Sequence, residues 1–314
     1  MTVKINNILI ASPMYKELQL ILETEDIYKE KSFRFRSMEV EKEDFLWADA
    51  FVAFSRPNNF SFDNLKWVHS LGAGVDKILR GSEWKRDIPL TRTICSFGQK
   101  ISEYGLSYIL RDLQHQDEFS NLARNKDWKP ITPIPLSEKK VLIYGTGVIG
   151  QEVAATLTFF GTKVYGVSLS GKEKKPFIEV FASDSNYQEV LAEADVIINT
   201  MPLTEKTRDL FNESLFKLMQ DVLFINVGRG ESVNNDALIK AIDKGQVKRA
   251  VLDVFQEEPL PKDDPFWSHP QVVVTPHISA VTTPEEGVAC FVDTLKKIEA
   301  GESLPNLVDL DKGF

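Results

Sequence analysis

Three side chains in the last third of the sequence are suited to the reduction of a carbonyl group: Arg229, Glu258 and His277. Their settings are NVGRG at 226–230, DVFQEEPL at 253–260 and TPHIS at 275–279. An arginine binds the carboxylate of an α-keto acid through paired N–H donors, and a histidine transfers a proton near neutral pH. A carboxylate beside that histidine fixes its tautomer and favours its protonated form. We therefore take the three residues as a candidate catalytic set.

These side chains need elements that bring them together, because 29 and 19 residues separate them in sequence. Each of them follows or ends an apolar segment, and these segments span 223–227, 250–254 and 272–275. Ligands of open α/β sheets bind at the carboxyl ends of the strands. We therefore expect the three strand ends to converge on one crevice.

Short β-rich segments alternate with helical segments along the whole chain. The candidate strands lie at 8–11, 32–37, 50–54, 66–70, 141–144, 163–167, 195–199, 223–227, 250–254 and 272–275. Most are continuous apolar runs, as expected for parallel strands that are buried on both faces. Their alternation with helices predicts an α/β fold of doubly wound parallel sheets with right-handed crossovers.

Two long helices are predicted between and after these strand groups. Apolar residues at helical spacing predict a helix over 102–125 and another over 284–300, which Gly301 ends. The proline-rich segment KPITPIPLSEKK follows the first helix and favours an extended connector. The second strand group begins directly after this connector.

The segment GTGVIG at 145–150 directly follows a predicted strand and opens a helix. That helix is predicted to place one apolar face against the sheet, formed by Ile149, Val153, Leu157 and Phe160. Gly145 permits a tight turn, Gly147 lets the backbone approach a pyrophosphate, and Gly150 lets the helix lie close to the sheet. The N–H groups and dipole of the helix N-terminus attract the anion. The segment therefore predicts a dinucleotide site.

The end of the next strand bears on which dinucleotide binds. NAD sites usually carry an acidic residue there, and this chain has Ser168 instead. No carboxylate occurs until Glu173, whereas Lys172, Lys174 and Lys175 crowd the following turn. A serine and nearby cations suit a 2′-phosphate, so we predict a preference for NADP(H), with NAD(H) as the alternative cofactor.

The segment LGAGVDKI at 71–78 follows the predicted strand at 66–70. Two glycines flank Ala73 and would expose consecutive backbone N–H groups, which form a small anion-binding nest. Alone, the segment is more typical of an ordinary glycine-rich turn than of an anion site. Together with the candidate catalytic set, it indicates a site for a substrate carboxylate.

Composition excludes several classes of protein. The chain has 314 residues, 43% of them hydrophobic and 26% charged, as expected for a globular protein of two domains. A net charge of -9 argues against nucleic acid as a partner. Only Cys95 and Cys290 are present, which disfavours disulfides and a metal site and fits a reducing cytosol. The apolar N-terminal stretch is too short to span a membrane, so we predict a cytoplasmic protein without a membrane partner.

The motifs together resemble the D-isomer-specific 2-hydroxyacid dehydrogenase family. The resemblance rests on GTGVIG, LGAGVDKI, TMPLTEKTRDLFN, NVGRGESVNNDALIKAI, RAVLDVFQEEPL and TPHISAVT, and it extends from about residue 65 to the end. The forms SFGQKISEYGLSYIL and TPHISAVT, with the missing acid at 168, are most similar to the glyoxylate/hydroxypyruvate reductase branch. The chain departs from that branch at Leu169, where NADP-using members often have arginine.

The resemblance implies two Rossmann-like domains, with the cofactor domain inserted into the substrate domain. It implies a substrate domain of residues 1–101 plus 282–314, a cofactor domain of residues 102–281, crossovers at the two long helices, and a homodimer. Arg229 would then bind the carboxylate and keto oxygen, His277 would protonate the carbonyl oxygen, and Glu258 would keep His277 protonated. Ala73 and Gly74 would donate to the carboxylate. Contacts with the cofactor would come from Gly145, Thr146, Gly147, Val148, Ile149, Gly150, Ser168, Met201, Pro202, Thr207, Val227, Gly228, Asp253 and His277, with Asp253 at the nicotinamide end.

The leading hypothesis is therefore an NAD(P)H-dependent reductase that converts a small 2-keto acid, such as glyoxylate or hydroxypyruvate, to a D-2-hydroxy acid. Two alternatives stay open at this point. One is an NAD-dependent dehydrogenase that oxidises a D-2-hydroxy acid of the phosphoglycerate or lactate kind. The other is a dinucleotide-sensing interaction protein on the same fold, because a fold alone does not set function.

Overall fold

The structure, a computed structural model, describes residues 3–81 and 83–314 and divides the chain into two compact units. Unit 1 joins the two ends of the chain, Met1–Phe97 and Val281–Phe314, and unit 2 is the continuous segment Gly98–Ala280. The sequence predicts these boundaries after residues 101 and 281. Each unit contains an open parallel sheet, which confirms the predicted α/β fold class.

Strands and helices alternate through most of both units. In chain order the strands are β1 (Asn7–Ala11), β2 (Ser32–Arg36), β3 (Ala50–Ala53), β4 (Trp67–Ser70), β5 (Leu90–Arg92), β6 (Lys140–Tyr144), β7 (Lys163–Ser168), β8 (Val180–Ala182), β9 (Val196–Asn199), β10 (Val222–Asn226), β11 (Val247–Leu252) and β12 (Val272–Val274). The α-helices are α1 (Tyr15–Leu22), α2 (Ile27–Glu30), α3 (Lys42–Trp47), α4 (Asp76–Leu79), α5 (Phe97–Leu113), α6 (Gln116–Arg124), α7 (Val148–Phe159), α8 (Gln188–Ala192), α9 (Glu213–Phe216), α10 (Asn235–Asp243) and α11 (Pro284–Ala300).

Unit 1 has a five-stranded sheet in the order β2-β1-β3-β4-β5, and its neighbouring strands are parallel. The central strands β1, β3 and β4 are almost entirely buried, as continuous apolar runs require. One face of the sheet packs against α1 and α11, and Leu18 of α1 and Phe291 of α11 lie in the same core. A second core on the opposite face contains Phe45 and Phe51.

Unit 2 has a seven-stranded sheet in the order β12-β11-β10-β9-β6-β7-β8, again with parallel pairs. The strand order reverses between β6 and β9, because the chain builds β6-β7-β8 in one direction and β9 to β12 in the other. Crevices at such a reversal are where open α/β sheets bind ligands. A ligand site is therefore expected at the carboxyl ends of β6, β9 and β10.

Most predicted elements are confirmed, and the exceptions have physical causes. The sequence patterns miss β5 and β8, which are edge strands of only three residues, too short to give a clear pattern. The prediction of one continuous helix over 102–125 is wrong. The segment forms the end of α5 and all of α6, and His115 between them has φ 51°. The carbonyl of Leu113 accepts from Ile134 N at 3.0 Å, so the proline-rich connector takes the bond that a continuing helix needs.

Helices α7 and α11 largely match the sequence prediction, with one correction. In α11, Thr283 and Glu286 form a capping box, and Gly301 ends the helix at φ 70°. In α7, Val153 and Leu157 are buried as predicted. Phe160 lies beyond the end of α7 and is 46% exposed, so its placement on the buried face is wrong.

Among the described residues, no helix is both long and apolar enough to cross a membrane.

Candidate active site

The His277 and Glu258 side chains are paired in unit 2. His277 Nδ1 lies 3.1 Å from Glu258 Oε1 and 3.0 Å from Oε2. A carboxylate only accepts, so Nδ1 carries a proton and donates it to Glu258. The His277 side chain is 43% exposed, whereas that of Glu258 is 21% exposed. The pair therefore fixes the ring through one nitrogen and leaves Nε2 for proton transfer to a ligand.

The His277 backbone is bent into the left-handed region, at φ 55°. Its N–H donates to the Asp253 carbonyl at 2.9 Å, just after the end of β11. The Asp253 side chain is fully buried, and its Oδ1 and Oδ2 accept from Ile278 N at 2.8 Å and Ser279 N at 2.9 Å. Asp253 therefore shapes the loop that presents His277. Its predicted contact with the nicotinamide stays a prediction.

A hydrogen-bond chain extends from Asp253 to helix α5. Thr275 Oγ1 donates to Asp253 Oδ1 at 2.6 Å, and the Tyr104 hydroxyl lies 2.7 Å from Thr275 Oγ1. Because the only proton of the Thr275 hydroxyl goes to the carboxylate, Tyr104 must be the donor to Thr275. Burial raises the pKa of the Tyr104 phenol well above its ordinary value, so the group stays protonated.

Arg229 follows β10 in a turn that is held tightly against the Glu258 loop. Its Nη1 donates to the Gly228 carbonyl at 2.7 Å. A Cβ at Gly230 would overlap the Phe255 backbone, so this position has no room for a side chain. Gln256 Nε2 also donates to the Val233 carbonyl at 2.7 Å. The two loops that carry Arg229 and Glu258 are thus packed against each other.

Two buried asparagines organise these loops, and the sequence patterns did not identify them. Asn199 and Asn226 are the last residues of β9 and β10, and Asn199 Nδ2 donates to Asn226 Oδ1 at 2.9 Å. Asn226 Oδ1 accepts from Gly228 N at 3.2 Å, and Asn199 Oδ1 accepts from Met201 N at 3.0 Å. Ser232 Oγ donates to the Arg229 carbonyl at 2.6 Å. The sequence does contain a signal for this role, because each of these two apolar strands ends in an asparagine.

The glycine motif has the geometry of an anion cradle. Gly145 has φ 98°, and a Cβ there would lie 2.7 Å from the Thr200 hydroxyl oxygen. A Cβ at Gly150 would overlap the Gly145 carbonyl, so α7 lies directly against the turn. No side chain caps α7, whose first N–H groups have no partner within the helix. Open space at Gly147 completes a cradle that fits a pyrophosphate.

The adjacent turn after β7 contains the candidate determinants of phosphate selectivity. Ser168 is the last residue of β7, and its Oγ accepts from Gly171 N at 3.2 Å. Lys174 is partly buried, and its Nζ donates to the Thr146 carbonyl at 2.7 Å, which places the ammonium beside the glycine turn. Lys172 and Lys175 are exposed. Of the three lysines, Lys174 is therefore the one that is held beside the glycine turn.

The remaining predicted cofactor residues lie in loops after β9 and β10. Thr207 closes the loop after β9, because its Oγ1 donates to the Pro202 carbonyl at 2.7 Å and accepts from Thr204 N at 2.8 Å. Met201 and Val227 are buried, and a Cβ at Gly228 would lie 2.7 Å from the Met201 carbonyl oxygen. These loops therefore contact each other beside the same strand ends. Their contact with a cofactor stays a prediction.

Ala73 and Gly74 lie in unit 1, in the turn between β4 and α4. Ser70, the last residue of β4, is fully buried and donates to carbonyls of this turn. The structure thus places the predicted carboxylate nest in unit 1 and the predicted catalytic set in unit 2. Among the residues with described positions, no group of three or more His, Cys, Asp or Glu side chains could hold a metal ion.

Comparison with known proteins identifies the family. The model of the D-isomer specific 2-hydroxyacid dehydrogenase NAD binding domain matches residues 106–279. The glyoxylate/hydroxypyruvate reductase A of Serratia proteamaculans is 36% identical over 257 residues, which cover 80% of this chain and 82% of that protein. This chain belongs to the D-isomer-specific 2-hydroxyacid dehydrogenase family. The reductase A of Citrobacter koseri is 37% identical over the same shares of both chains.

Solved structures of this family have the same fold. A D-isomer specific 2-hydroxyacid dehydrogenase from Xanthobacter autotrophicus, in complex with NADPH and MES, has a TM-score of 0.87 and 28% identity, covering 99% of this chain and 100% of that one. An NADPH-dependent glyoxylate/hydroxypyruvate reductase from Sinorhizobium meliloti, in complex with NADP and sulfate, has a TM-score of 0.86 and 29% identity, covering 98% and 100%. The resemblance inferred from the sequence motifs is therefore confirmed.

Proposed function

We propose that this dehydrogenase reduces small 2-keto acids, such as glyoxylate and hydroxypyruvate, to D-2-hydroxy acids with NADPH. The observation that carries the proposal is the pairing of His277 Nδ1 with both oxygens of Glu258, at 3.1 and 3.0 Å. That pair lies in the same unit as the Arg229 turn and the glycine cradle. The names of the related proteins support the substrate class.

The proposed chemistry assigns a separate task to each side chain. When bound, the nicotinamide cofactor supplies the hydride that reaches the carbonyl carbon. His277 gives its Nε2 proton to the keto oxygen, and Glu258 stabilises the doubly protonated ring through Nδ1. Arg229 binds the carboxylate and keto oxygen, so that positive charge stabilises the developing alkoxide. Ala73 and Gly74 donate backbone N–H groups to the carboxylate.

The preference for NADPH rests on unit 2 and on the relatives. Ser168 stands where a carboxylate would repel a 2′-phosphate, and Lys174 offers a positive charge beside the glycine turn. Similar structures contain NADPH or NADP. The oxidative, NAD-dependent alternative is not favoured, because relatives at 36% and 37% identity are named reductases.

A steady-state assay with purified protein tests the proposal. NADPH should be oxidised in the presence of glyoxylate or hydroxypyruvate, and His277→Gln should lower kcat by about 10²–10⁴-fold because the general acid is lost. His269→Gln is the matched control, since His269 is 3.7 Å from Asp243 in another part of unit 2. Near-full activity of His277→Gln would exclude the proposed acid. No turnover of any 2-keto acid by the wild-type protein would exclude the function itself.

We also propose that the enzyme is a cytosolic homodimer that associates through helix α6 and the connector after it. No residue of α6 is buried, although the helix carries Phe119 and Leu122, and Trp128 is 98% exposed. An apolar group exposed to this extent favours association. Light scattering coupled to gel filtration should give twice the chain mass of 35.6 kDa. Trp128→Ser should shift the protein towards the monomer, and a wild-type monomer at micromolar concentration would contradict the proposal.

A further inference from the structure

All three carbonyl groups of the turn Gly72–Gly74 accept hydrogen bonds from side chains. Ser70 Oγ lies 3.1 Å from the Gly72 carbonyl oxygen and 3.1 Å from that of Gly74, so its single proton is shared between them. Arg92 Nη1 donates to the third carbonyl, that of Ala73, at 3.4 Å. Each carbonyl of the turn therefore has a donor from β4 or β5.

This arrangement leaves the N–H groups of Ala73 and Gly74 available to donate to a ligand. Within the described part of the chain, the N–H groups of Ala73 and Gly74 have no hydrogen-bond partner, whereas Gly72 N donates to Ser70 Oγ at 3.2 Å. The carbonyl of Ala73 and the N–H of Gly74 belong to one peptide group and point in opposite directions. A donor on that carbonyl orients and polarises the N–H on the other side of the peptide.

Arg92 differs from three other arginines of unit 1, which bind carboxylates. Arg34 and Arg36 both bind Asp44, at 3.0 and 2.8 Å, and Arg86 binds Asp311 at 2.8 Å. In contrast, no carboxylate of residues 3–81 or 83–314 lies within 4.0 Å of the Arg92 guanidinium, which is partly buried. Burial lowers the pKa of this guanidinium, as expected for a desolvated cation. A partly buried cation without a counter-ion is costly until an anion binds.

Hydrogen bonds to Asn306 fix the backbone of Arg92 and so limit where its side chain can lie. Arg92 N donates to the Asn306 carbonyl at 3.1 Å, and Asn306 Nδ2 donates to the Arg92 carbonyl at 2.9 Å. Asn306 is 5% exposed and lies near the C-terminus of the chain. The last residue of β5 is therefore clamped between β4 and the chain end, with its guanidinium against the turn.

We propose that Arg92 is a positioning residue that makes the Gly72–Gly74 turn a carboxylate site. Its guanidinium orients the Ala73–Gly74 peptide and supplies the positive charge of the site in unit 1. The ligand is the carboxylate of a short 2-keto acid, so this inference rests on the proposed function. Arg92 acts on binding of the carboxylate, whereas His277 acts on the proton, and the two roles have different kinetic signatures.

Kinetics of Arg92 variants test this role. Arg92→Gln should raise KM for glyoxylate and hydroxypyruvate at least tenfold, while kcat should change less than about threefold, because carboxylate binding is equal in ground and transition states. Arg92→Lys keeps the charge without the planar fork and should recover part of the loss. Arg86→Gln is the matched control, since Arg86 is an exposed arginine of the same unit, and its KM should equal the wild-type value.

A binding measurement separates this inference from the proposed activity. Oxamate, a non-reducible carboxylate analogue of glyoxylate, is titrated into enzyme that contains NADPH, and binding is followed by calorimetry. Arg92→Gln should weaken the Kd for oxamate at least tenfold, even if turnover of 2-keto acids proves absent. Equal Kd values for Arg92→Gln and wild type, with an unchanged KM, would overturn the inference. If Arg92→Gln does not fold, Arg92→Lys carries the same comparison, and a wild-type Kd for that variant would overturn the role of the fork.

Discussion

The loop that carries His277 shows how local strain is offset by hydrogen bonds. A left-handed backbone costs a residue other than glycine about 1–2 kcal/mol. Here the strained residue is held by its N–H bond to the Asp253 carbonyl, and the two following N–H groups donate to the Asp253 carboxylate. Strain of this kind persists only where the surroundings enforce it. The strained loop and the buried carboxylate together position the imidazole.

We expect selectivity for the cofactor phosphate to depend more on Lys174 than on Lys172 or Lys175. Because Lys174 Nζ is held 2.7 Å from the Thr146 carbonyl beside the cradle, Lys174→Ala should raise Kd for NADPH about tenfold. Fluorescence titration with NADPH and NADH measures the change, and the Kd for NADH should be unaffected. Lys175→Ala removes an equal charge at an exposed position and serves as the control. Equal losses for both variants would show that the cluster acts only through its total charge.

Sequence alone predicts the identity of the reactive side chains better than the groups that support them. Arg229, Glu258 and His277 stand in motifs whose residue types already indicate their chemistry. The amides of Asn199 and Asn226 have a role only because β9 and β10 lie side by side, with Asn199 opposite Asn226. That register is a tertiary fact, and no local pattern contains it.

Helix α5 and the loop after β12 are coupled through the hydroxyls of Tyr104 and Thr275. Tyr104→Phe removes the donor to Thr275 and keeps the ring, so kcat should fall about three- to tenfold while KM for the 2-keto acid stays within twofold. Tyr28→Phe is the control, since its hydroxyl makes a long, exposed contact with Glu23 at 3.4 Å. The pH dependence of kcat for both variants should be compared. An unchanged kcat and pH profile in Tyr104→Phe would contradict the coupling.

Strands β4 and β5 are joined by a buried histidine that is neutral in the fold. His69 Nδ1 lies 2.8 Å from Thr91 Oγ1, Nε2 lies 3.3 Å from Thr93 Oγ1, and burial lowers the pKa of His69 to about 3. The unfolded chain binds this proton below about pH 6.5, so unfolding is favoured as pH falls from 6.5 towards 3. From pH 7 to pH 5, His69 should lower the free energy of unfolding by about 2 kcal/mol.

Urea unfolding of wild type and His69→Gln at pH 7 and pH 5 measures this contribution. Glutamine does not titrate, so its free energy of unfolding should fall by about 2 kcal/mol less than that of wild type over the same interval. His115→Gln controls for the loss of a partly exposed histidine. Parallel losses in wild type and His69→Gln would mean that other groups cause the acid sensitivity.

Elements with a strong local pattern are the ones that the sequence predicts well. Helix α11 has its capping box, its apolar stripe and its terminal glycine, and its predicted bounds of 284–300 are confirmed. The break between α5 and α6 depends on a bond from Ile134 to Leu113, twenty-one positions earlier in sequence. Contacts across such a separation override local helix propensity.

The two units have separate hydrophobic cores, so they need not unfold together. NADPH at about 100 times its Kd should stabilise the unit that binds it by about 2.7 kcal/mol. Hydrogen exchange of slow amides in β6, β9 and β10 should then slow by about 100-fold, whereas those in β1 and β3 should change less. Equal slowing in both units would show that the molecule unfolds as one cooperative system.

The division of the chain also sets the order in which its parts can fold during synthesis. Unit 2 is continuous, so all of its residues have been made once Ala280 is added. The core of unit 1 also needs Phe291 and Leu295 of α11, which are made only after unit 2. The first 97 residues therefore cannot complete their core while the ribosome makes unit 2, and apolar side chains of β1 and β3 stay uncovered during that time. A nascent chain of this protein thus depends on helix α11, which is made after unit 2, to cover its first sheet.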